Sequence, residues 1–153
     1  MHHLDTSALV KRCVSEPGSD IVDRIFSECY CGISRISFSY WNVAEAAVVF
    51  VKYERRLGLS AERLMRDLLR EMRTLAKLHR LVVVDVSPKV LRGSVNLVLK
   101  HLIYVADASQ IAMAIKARSS MFLAGGRNPA KVAEDEGLKA ICGLEDRSRI
   151  FLP

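Results

Sequence analysis

The run Leu81-Val82-Val83-Val84-Asp85-Val86 limits the folds open to this chain more than any other stretch. Both of its alternating faces are apolar, and a strand of that kind is buried on two sides, as in the interior of a parallel sheet. Shorter strand-like segments occur at 32–37, at 121–124 and at 138–142. Helical patterns separate them. One is expected over 7–14, broken by Glu16-Pro17-Gly18-Ser19, and a second is capped by Ser19 with Ile21, Val22, Ile25 and Phe26 inward. Others are expected over 39–57, stopped by Gly58, and over 60–80, capped by Ser60. Ser87-Pro88 opens a helix to about 101, another covers 105–117, and a small one lies between Asn128-Pro129 and Gly137. Strands alternating with helices predict a three-layer α/β/α sandwich around a central parallel sheet. There is no internal repeat, low-complexity segment or linker, so 1–153 reads as a single domain.

The sheet needs a first strand, and Leu4-Asp5-Thr6-Ser7-Ala8-Leu9-Val10 supplies its end. An apolar start runs into an aspartate, two hydroxyls and an amphipathic segment. That pattern hands a strand over to a helix and leaves the carboxylate at the strand's C-terminal edge, where open α/β sheets bind ligands. The same residues also suit a helix N-cap. Only three residues precede Leu4, so the strand is short.

Two more carboxylates stand alone in apolar surroundings. Glu45 is the one charge in Val43-Ala44-Glu45-Ala46-Ala47-Val48-Val49-Phe50-Val51, and Asp107 is the one charge from Leu102 to Ile115. A lone buried carboxylate is costly unless it shifts its pKa or finds a cation. Each has a structural alternative: Glu45 as a capping residue of its own helix, Asp107 as a partner of the helix dipole. Three such residues, each near a helix start in an α/β pattern, fit convergence on one site. Oxygen ligands without His or Cys select Mg²⁺ or Mn²⁺, which need few carboxylates because they keep several waters. The four cysteines do not make a zinc pattern: Cys29-Tyr30-Cys31 has one intervening residue and no His pair follows. They read as reduced and structural.

These stretches resemble a known family. Asp5-Thr6-Ser7-Ala8-Leu9 is similar to the opening motif of PIN domains. Ser39-Tyr40-Trp41-Asn42-Val43-Ala44-Glu45 is similar to their Ser-x-x-Thr-x-x-Glu helix start, with Asn42 in place of Thr. Asp107-Ala108-Ser109-Gln110-Ile111-Ala112-Met113-Ala114 resembles their Asp-Ala-x-x-hydrophobic-Ala-x-Ala helix. The short chain without other modules looks like the ribonuclease toxin of VapBC-type toxin–antitoxin pairs. The resemblance implies an endoribonuclease in which Asp5, Glu45 and Asp107 hold Mg²⁺ or Mn²⁺, directly or through its waters. It further implies an RNA substrate cut in single-stranded loops, a cognate antitoxin and a homodimer. The family's fourth acid, in a Thr-x-Asp turn, is missing: Gly126 stands in its place within Ala124-Gly125-Gly126-Arg127. Glu134, Asp135 and Glu136 read as a solvated helix face.

Supporting roles fall to neighbours. Thr6 or Ser7 can hydrogen-bond a phosphate or cap the helix, and Asn42 can orient a carboxylate or cap its own. The chain carries a formal charge of +6 and a pI near 9.4, which favours polyanionic partners. Arg63, Arg66, Arg70, Arg73, Lys77 and Arg80, at spacings of 3, 4, 3, 4 and 3, form one stripe beside Leu64, Leu68, Met72 and Leu75. With Arg127 they are the candidate RNA-binding cations. The alternative is a solvated face balanced by Glu62, Asp67 and Glu71. Tyr40, Trp41 and Tyr53 can stack on bases, with Trp41 expected in the core. No apolar run is long enough to span a membrane and no signal-peptide pattern begins the chain, so a cytoplasmic protein is expected. A PIN-like module that has lost catalysis with its fourth acid is the competing reading. A haloacid-dehalogenase-type phosphotransferase needs a second aspartate where Ser7 stands, and no P-loop motif occurs.

Overall fold

The computed structural model of the chain describes residues 1–142. Its strands are β1 (His2–Leu4), β2 (Ile36–Phe38), β3 (Leu81–Val83), β4 (Met121–Ala124) and β5 (Lys139–Cys142). Its helices are α1 (Thr6–Val10), α2 (Ser19–Tyr30), α3 (Tyr40–Leu57), α4 (Ala61–Lys77), α5 (Pro88–His101), α6 (Val105–Lys116) and α7 (Arg127–Asp135). All strand pairs are parallel, in the order β3-β2-β1-β4-β5.

Period-two alternation along the strands divides the core between two faces. Leu4, Ile36, Phe38, Leu123 and Ile141 point to one side, where they pack with Ala8, Leu9, Ile25, Phe26, Ala46, Phe50, Leu68 and Leu75 of α1–α4. Phe122, Ala124 and Ala140 point to the other, against Val90, Leu97, Ile111, Met113 and Val132 of α5–α7. The result is the three-layer α/β/α arrangement expected from the alternation of elements. Fully buried side chains such as Phe26, Phe38 and Phe50 contribute roughly 1.5–3 kcal/mol each by leaving water.

Helix α3 shows why the local sequence suffices. Ser39 and Asn42 form a capping box, with the Asn42 amide taking the part usually played by Glu or Gln. At the other end Gly58 takes φ 70° and closes the last turn. Ser60 and Ser87 cap α4 and α5 as expected, and Pro88 sits in the first turn of α5.

Several expectations change. The Leu81–Val83 strand is three residues long and lies at the sheet edge, half-buried, not in the interior. Its apolar character beyond Val83 serves a loop: Val84 is buried in the α5–α7 core, while Val86 is exposed. Ser19 is the first residue of α2, not its cap. Gly18 at φ 87° occupies the cap, and the Ser19 hydroxyl binds back to Val14 O and Glu16 N. The first helix ends at Val10, and β2 begins at Ile36. Trp41 is not a core residue; it is 49% exposed on the outer side of α3. All four cysteines are free. Among the described residues no helix is long and apolar enough to cross a membrane.

Candidate active site

From β1 the chain winds through β2 to β3 on one side, then returns to β4 and β5 on the other. The direction of winding therefore reverses between β1 and β4. In open α/β sheets the crevice beyond the carboxyl ends of such a pair is the favoured ligand site. Asp5 follows β1 at that point, and its backbone N–H donates to Leu123 O at 3.0 Å.

The Asp5 carboxylate is held by its own chain. Oδ1 accepts from Ser7 Oγ at 2.7 Å and from Ala8 N at 2.8 Å, which makes Asp5 the N-cap of α1. Oδ2 accepts from Gly125 N at 2.8 Å across the reversal point. Capping residue and cleft carboxylate, alternatives in the sequence, are thus one residue here. The approach of β4's end is close enough to require glycine: a Cβ on Gly125 would lie 2.1 Å from Ser7 Oγ.

Glu45 lies in the second turn of α3 and Asp107 in the first turn of α6. With Asp5, Thr6, Ser7 and Gln110 they line one cavity of about 690 Å³. Glu45 is not a helix cap. Its Oε2 accepts from Thr6 Oγ1 and, at 3.3 Å, from Gln110 Nε2. Asp107 makes no hydrogen bond or ion pair among the described residues and is half-buried. Burial pushes the Asp5 carboxyl above its ordinary range; bonds from Ser7, Ala8 and Gly125 oppose this, and the charge of Asp107 adds to it. Asp107 is likewise raised, by burial and then by the charge of Glu45. Among the described residues no cation pairs with any of the three.

Hard oxygen donors gathered on one cavity suit a divalent cation, and Lys52 is the cation that shares the cavity with them. Among the described residues no three His, Cys, Asp or Glu side chains are grouped so as to hold a metal ion between them. A fully protein-ligated ion is thus not accommodated, and an ion that keeps several of its own waters, as Mg²⁺ does, makes the smallest demand on such a set.

Sequence reasoning named Asn42 but missed Gln110 and His3, its partners in the polar layer beneath. Asn42, fully buried, donates from Nδ2 to Gln110 Oε1 at 2.9 Å and also reaches Leu4 O and Thr6 Oγ1. Gln110 is 4% exposed and lies one turn after Asp107. His3 Nε2 lies 3.5 Å from Gln110 Oε1, and its Nδ1 lies 3.0 Å from Ser37 Oγ. Burial depresses the His3 imidazole to about 4, so the ring is neutral. One available signal was the i, i+3 spacing of Asp107 and Gln110, which puts an uncharged polar residue on the same helix face.

The cations singled out in the sequence stand elsewhere, and Lys52, which the sequence did not single out, lines the cavity. None of Arg63, Arg66, Arg70, Arg73, Lys77, Arg80 or Arg127 lines the carboxylate cavity. Arg63, Arg66, Arg70 and Arg73 border a separate surface hollow with Asp67. Arg80 lies beyond the end of α4, half-buried, with its guanidinium against Gly32, so it leaves the stripe. Glu136 is not simply solvated, because it binds Lys100 and His101 at 2.7 Å. Gly126 is the N-cap of α7 in extended backbone, and a Cβ there would only touch Pro129 at 3.4 Å.

An all-parallel sheet in the order 3-2-1-4-5 is consistent with a PIN-like topology. No family model matches the chain, and no curated protein matches it either.

Proposed function

We propose that this chain is a metal-dependent endoribonuclease that hydrolyses RNA phosphodiester bonds, acting as the PIN-family toxin of a VapBC-type toxin–antitoxin pair. The observation that carries the reading is the meeting of Asp5, Glu45 and Asp107 on one cavity at the reversal point of the sheet, none of them ion-paired among the described residues although Lys52 also lines the cavity. The resemblance of the three stretches around these residues supports the same reading.

Asp5, Glu45 and Asp107 would hold Mg²⁺ or Mn²⁺ in this cleft. When bound, the ion supplies charge neutralisation at the scissile phosphate and acidifies the attacking water. Ser7, Ala8 and Gly125 fix the direction of the Asp5 carboxylate before any ligand arrives. Thr6 and Gln110 hold one oxygen of Glu45 and leave the other free. Asp107, without a hydrogen-bond partner among the described residues, is the group with most freedom to meet an incoming cation. Attack in line on phosphorus then breaks the phosphodiester bond. The antitoxin and a homodimer belong to the same proposal and rest on the resemblance; a cytoplasmic location is proposed with them from the sequence pattern.

The test is cleavage of total RNA by purified protein with Mg²⁺, with Mn²⁺ and with EDTA, beside Asp5→Asn. Discrete products that need the metal and vanish in the variant are expected. A folded, antitoxin-free sample that cuts nothing with either ion would refute the reading.

One observation favours a second reading, an RNA- or protein-binding module impaired in catalysis. Gly126 stands where the resemblance calls for a fourth acid, and among the described residues no three acidic, His or Cys side chains are grouped so as to hold a metal ion. Gly126→Asp separates the two readings, since the backbone there accepts a side chain. Cleavage appearing only in that variant would identify the missing acid as the defect.

A further inference from the structure

We infer that Gln110 is a positioning residue for Glu45, the last donor in a one-way relay of hydrogen bonds that begins at a backbone amide. The inference rests on the proposed role of Glu45, but its geometry does not. The backbone N–H of Ser39 can only donate, and it reaches Asn42 Oδ1 at 2.8 Å. That fixes which end of the Asn42 amide is oxygen, so Nδ2 faces inward as a donor. Nδ2 meets Gln110 at 2.9 Å, so the atom it meets is Oε1. The Gln110 Nε2 protons then point to Glu45 Oε2 at 3.3 Å.

A second arm locks the same orientation. His3 Nε2 faces Gln110 Oε1, an acceptor, so Nε2 carries a proton. On the other side of the ring Nδ1 lies 3.0 Å from Ser37 Oγ, which in turn is 3.0 Å from Ser119 Oγ. An inverted Gln110 amide would set its oxygen against a carboxylate and its NH₂ against Asn42 Nδ2 and the Nε2 proton of His3. Every neighbour opposes that flip. The carboxylate therefore meets a donor whose direction is set at the N-terminus of its own helix. With Thr6 on the same oxygen, Glu45 presents Oε1 to the cavity in one orientation.

The alternative is a core glutamine that merely satisfies its neighbours. Loss of either kind of residue lowers stability, so stability does not separate them. Mn²⁺ affinity of the otherwise metal-free protein does, measured by electron paramagnetic resonance on the wild type, Gln110→Met and Ser119→Ala. Outer-layer partners of metal ligands are typically worth about 10-fold or more in affinity, and that loss is expected for Gln110→Met. Ser119→Ala breaks the far end of the network and should keep the wild-type affinity. A second readout needs no metal: the Gln110 side-chain amide resonances should move in Glu45→Gln and stay in place in Ser109→Ala. Folded Gln110→Met with wild-type Mn²⁺ affinity, or amide resonances indifferent to Glu45→Gln, would overturn the inference. Wild-type protein with no Asp5-dependent Mn²⁺ binding would instead refute the proposed metal site, leaving the resonances to decide the positioning of Glu45.

Discussion

In the cleft, Asp5, Glu45 and Asp107 share one cavity and pair with no described cation, and burial raises the first and last of them. Along α4 the opposite holds. Arg66 pairs with Glu62 and Arg70 with Asp67, while Glu71 is taken by Arg12 and Tyr30 from outside the helix. Both regions stand out in the sequence by their charge. Yet the three cleft carboxylates are all unpaired among the described residues, whereas α4 pairs Arg66 and Arg70 and leaves Arg63, Arg73 and Lys77 unpaired. Exposed pairs of the α4 kind contribute at most about 1 kcal/mol and are screened by salt. Like charges turned toward each other in a half-buried cavity do not arise from solvation or helix propensity. The contrast favours the cleft as the proposed site and leaves α4 a surface with both paired and unpaired cations.

The largest expected effect comes from neutralising the cleft. Asp5→Asn should lower RNA cleavage by at least about 100-fold, because it removes a charge that would hold the ion. The same change keeps the cap of α1 but sets an NH₂ against the Gly125 N–H. Thermal stability should therefore fall by about 1–3 kcal/mol, offset in part by the lost repulsion from Asp107, and the protein should stay folded. A variant that keeps its activity, or unfolds for lack of the cap, would break the contrast. Next comes the tight contact at the reversal point. Gly125→Ala forces a Cβ into Ser7 and should cost roughly 1–3 kcal/mol of stability, read by thermal unfolding. Gly126→Asp, one residue on, should cost nothing and gain a helix cap.

A smaller effect tests α4. Arg63, Arg73 and Lys77 make no ion pair among the described residues, whereas Arg66 and Arg70 do. If the helix touches RNA, changing the first three to Gln should flatten the salt dependence of affinity, by about one unit of slope for each phosphate that is no longer neutralised. Changing Arg66 and Arg70 should do less, as their charge is already shared. Equal effects from both sets would show that pairing within the helix does not govern binding.

How much of this was readable in advance follows the same line. The meeting of Asp5, Glu45 and Asp107 on one cavity was legible because a single charge inside an apolar segment is costly to bury in isolation. The caps at Ser39, Ser60 and Ser87, and the stop at Gly58, were legible because local hydrogen bonding decides them. Gln110, His3 and Gly125 were not, since an uncharged polar residue or a glycine acquires its role only from partners brought by other strands. Apolar character alone misplaced Leu81–Val83, because an edge strand backed by α4 and a buried interior strand look alike in one dimension. Trp41 misled for a related reason: a large aromatic ring says nothing of which side of α3 it occupies.

The finest test lies inside the cavity itself, where one carboxylate behaves like those of α4. Glu16 also lines the cleft, but it accepts from Tyr53 at 2.6 Å and pairs with Lys11 at 3.0 Å. Burial alone would raise its pKa; the bonds from Tyr53 and Lys11 outweigh burial and hold it below the usual 4.5. Such a group stabilises the fold above its unfolded pKa, and that contribution fades as pH falls through the lower, folded value. Glu16→Gln should therefore cost about 1 kcal/mol at neutral pH, discounted for its partial exposure, and nothing once the carboxylate is protonated. Asp5 has the opposite sign, because its raised pKa makes the folded state hold a proton that the unfolded state releases. Its contribution is full below the unfolded value near 3.8 and is lost as pH rises through the folded one, so Asp5→Asn should gain relative to wild type on going to neutral pH. Parallel melting curves of the two variants from pH 3 to 7, without metal, should diverge in opposite directions. Curves that run together would mean that paired and unpaired carboxylates in this cleft experience one environment.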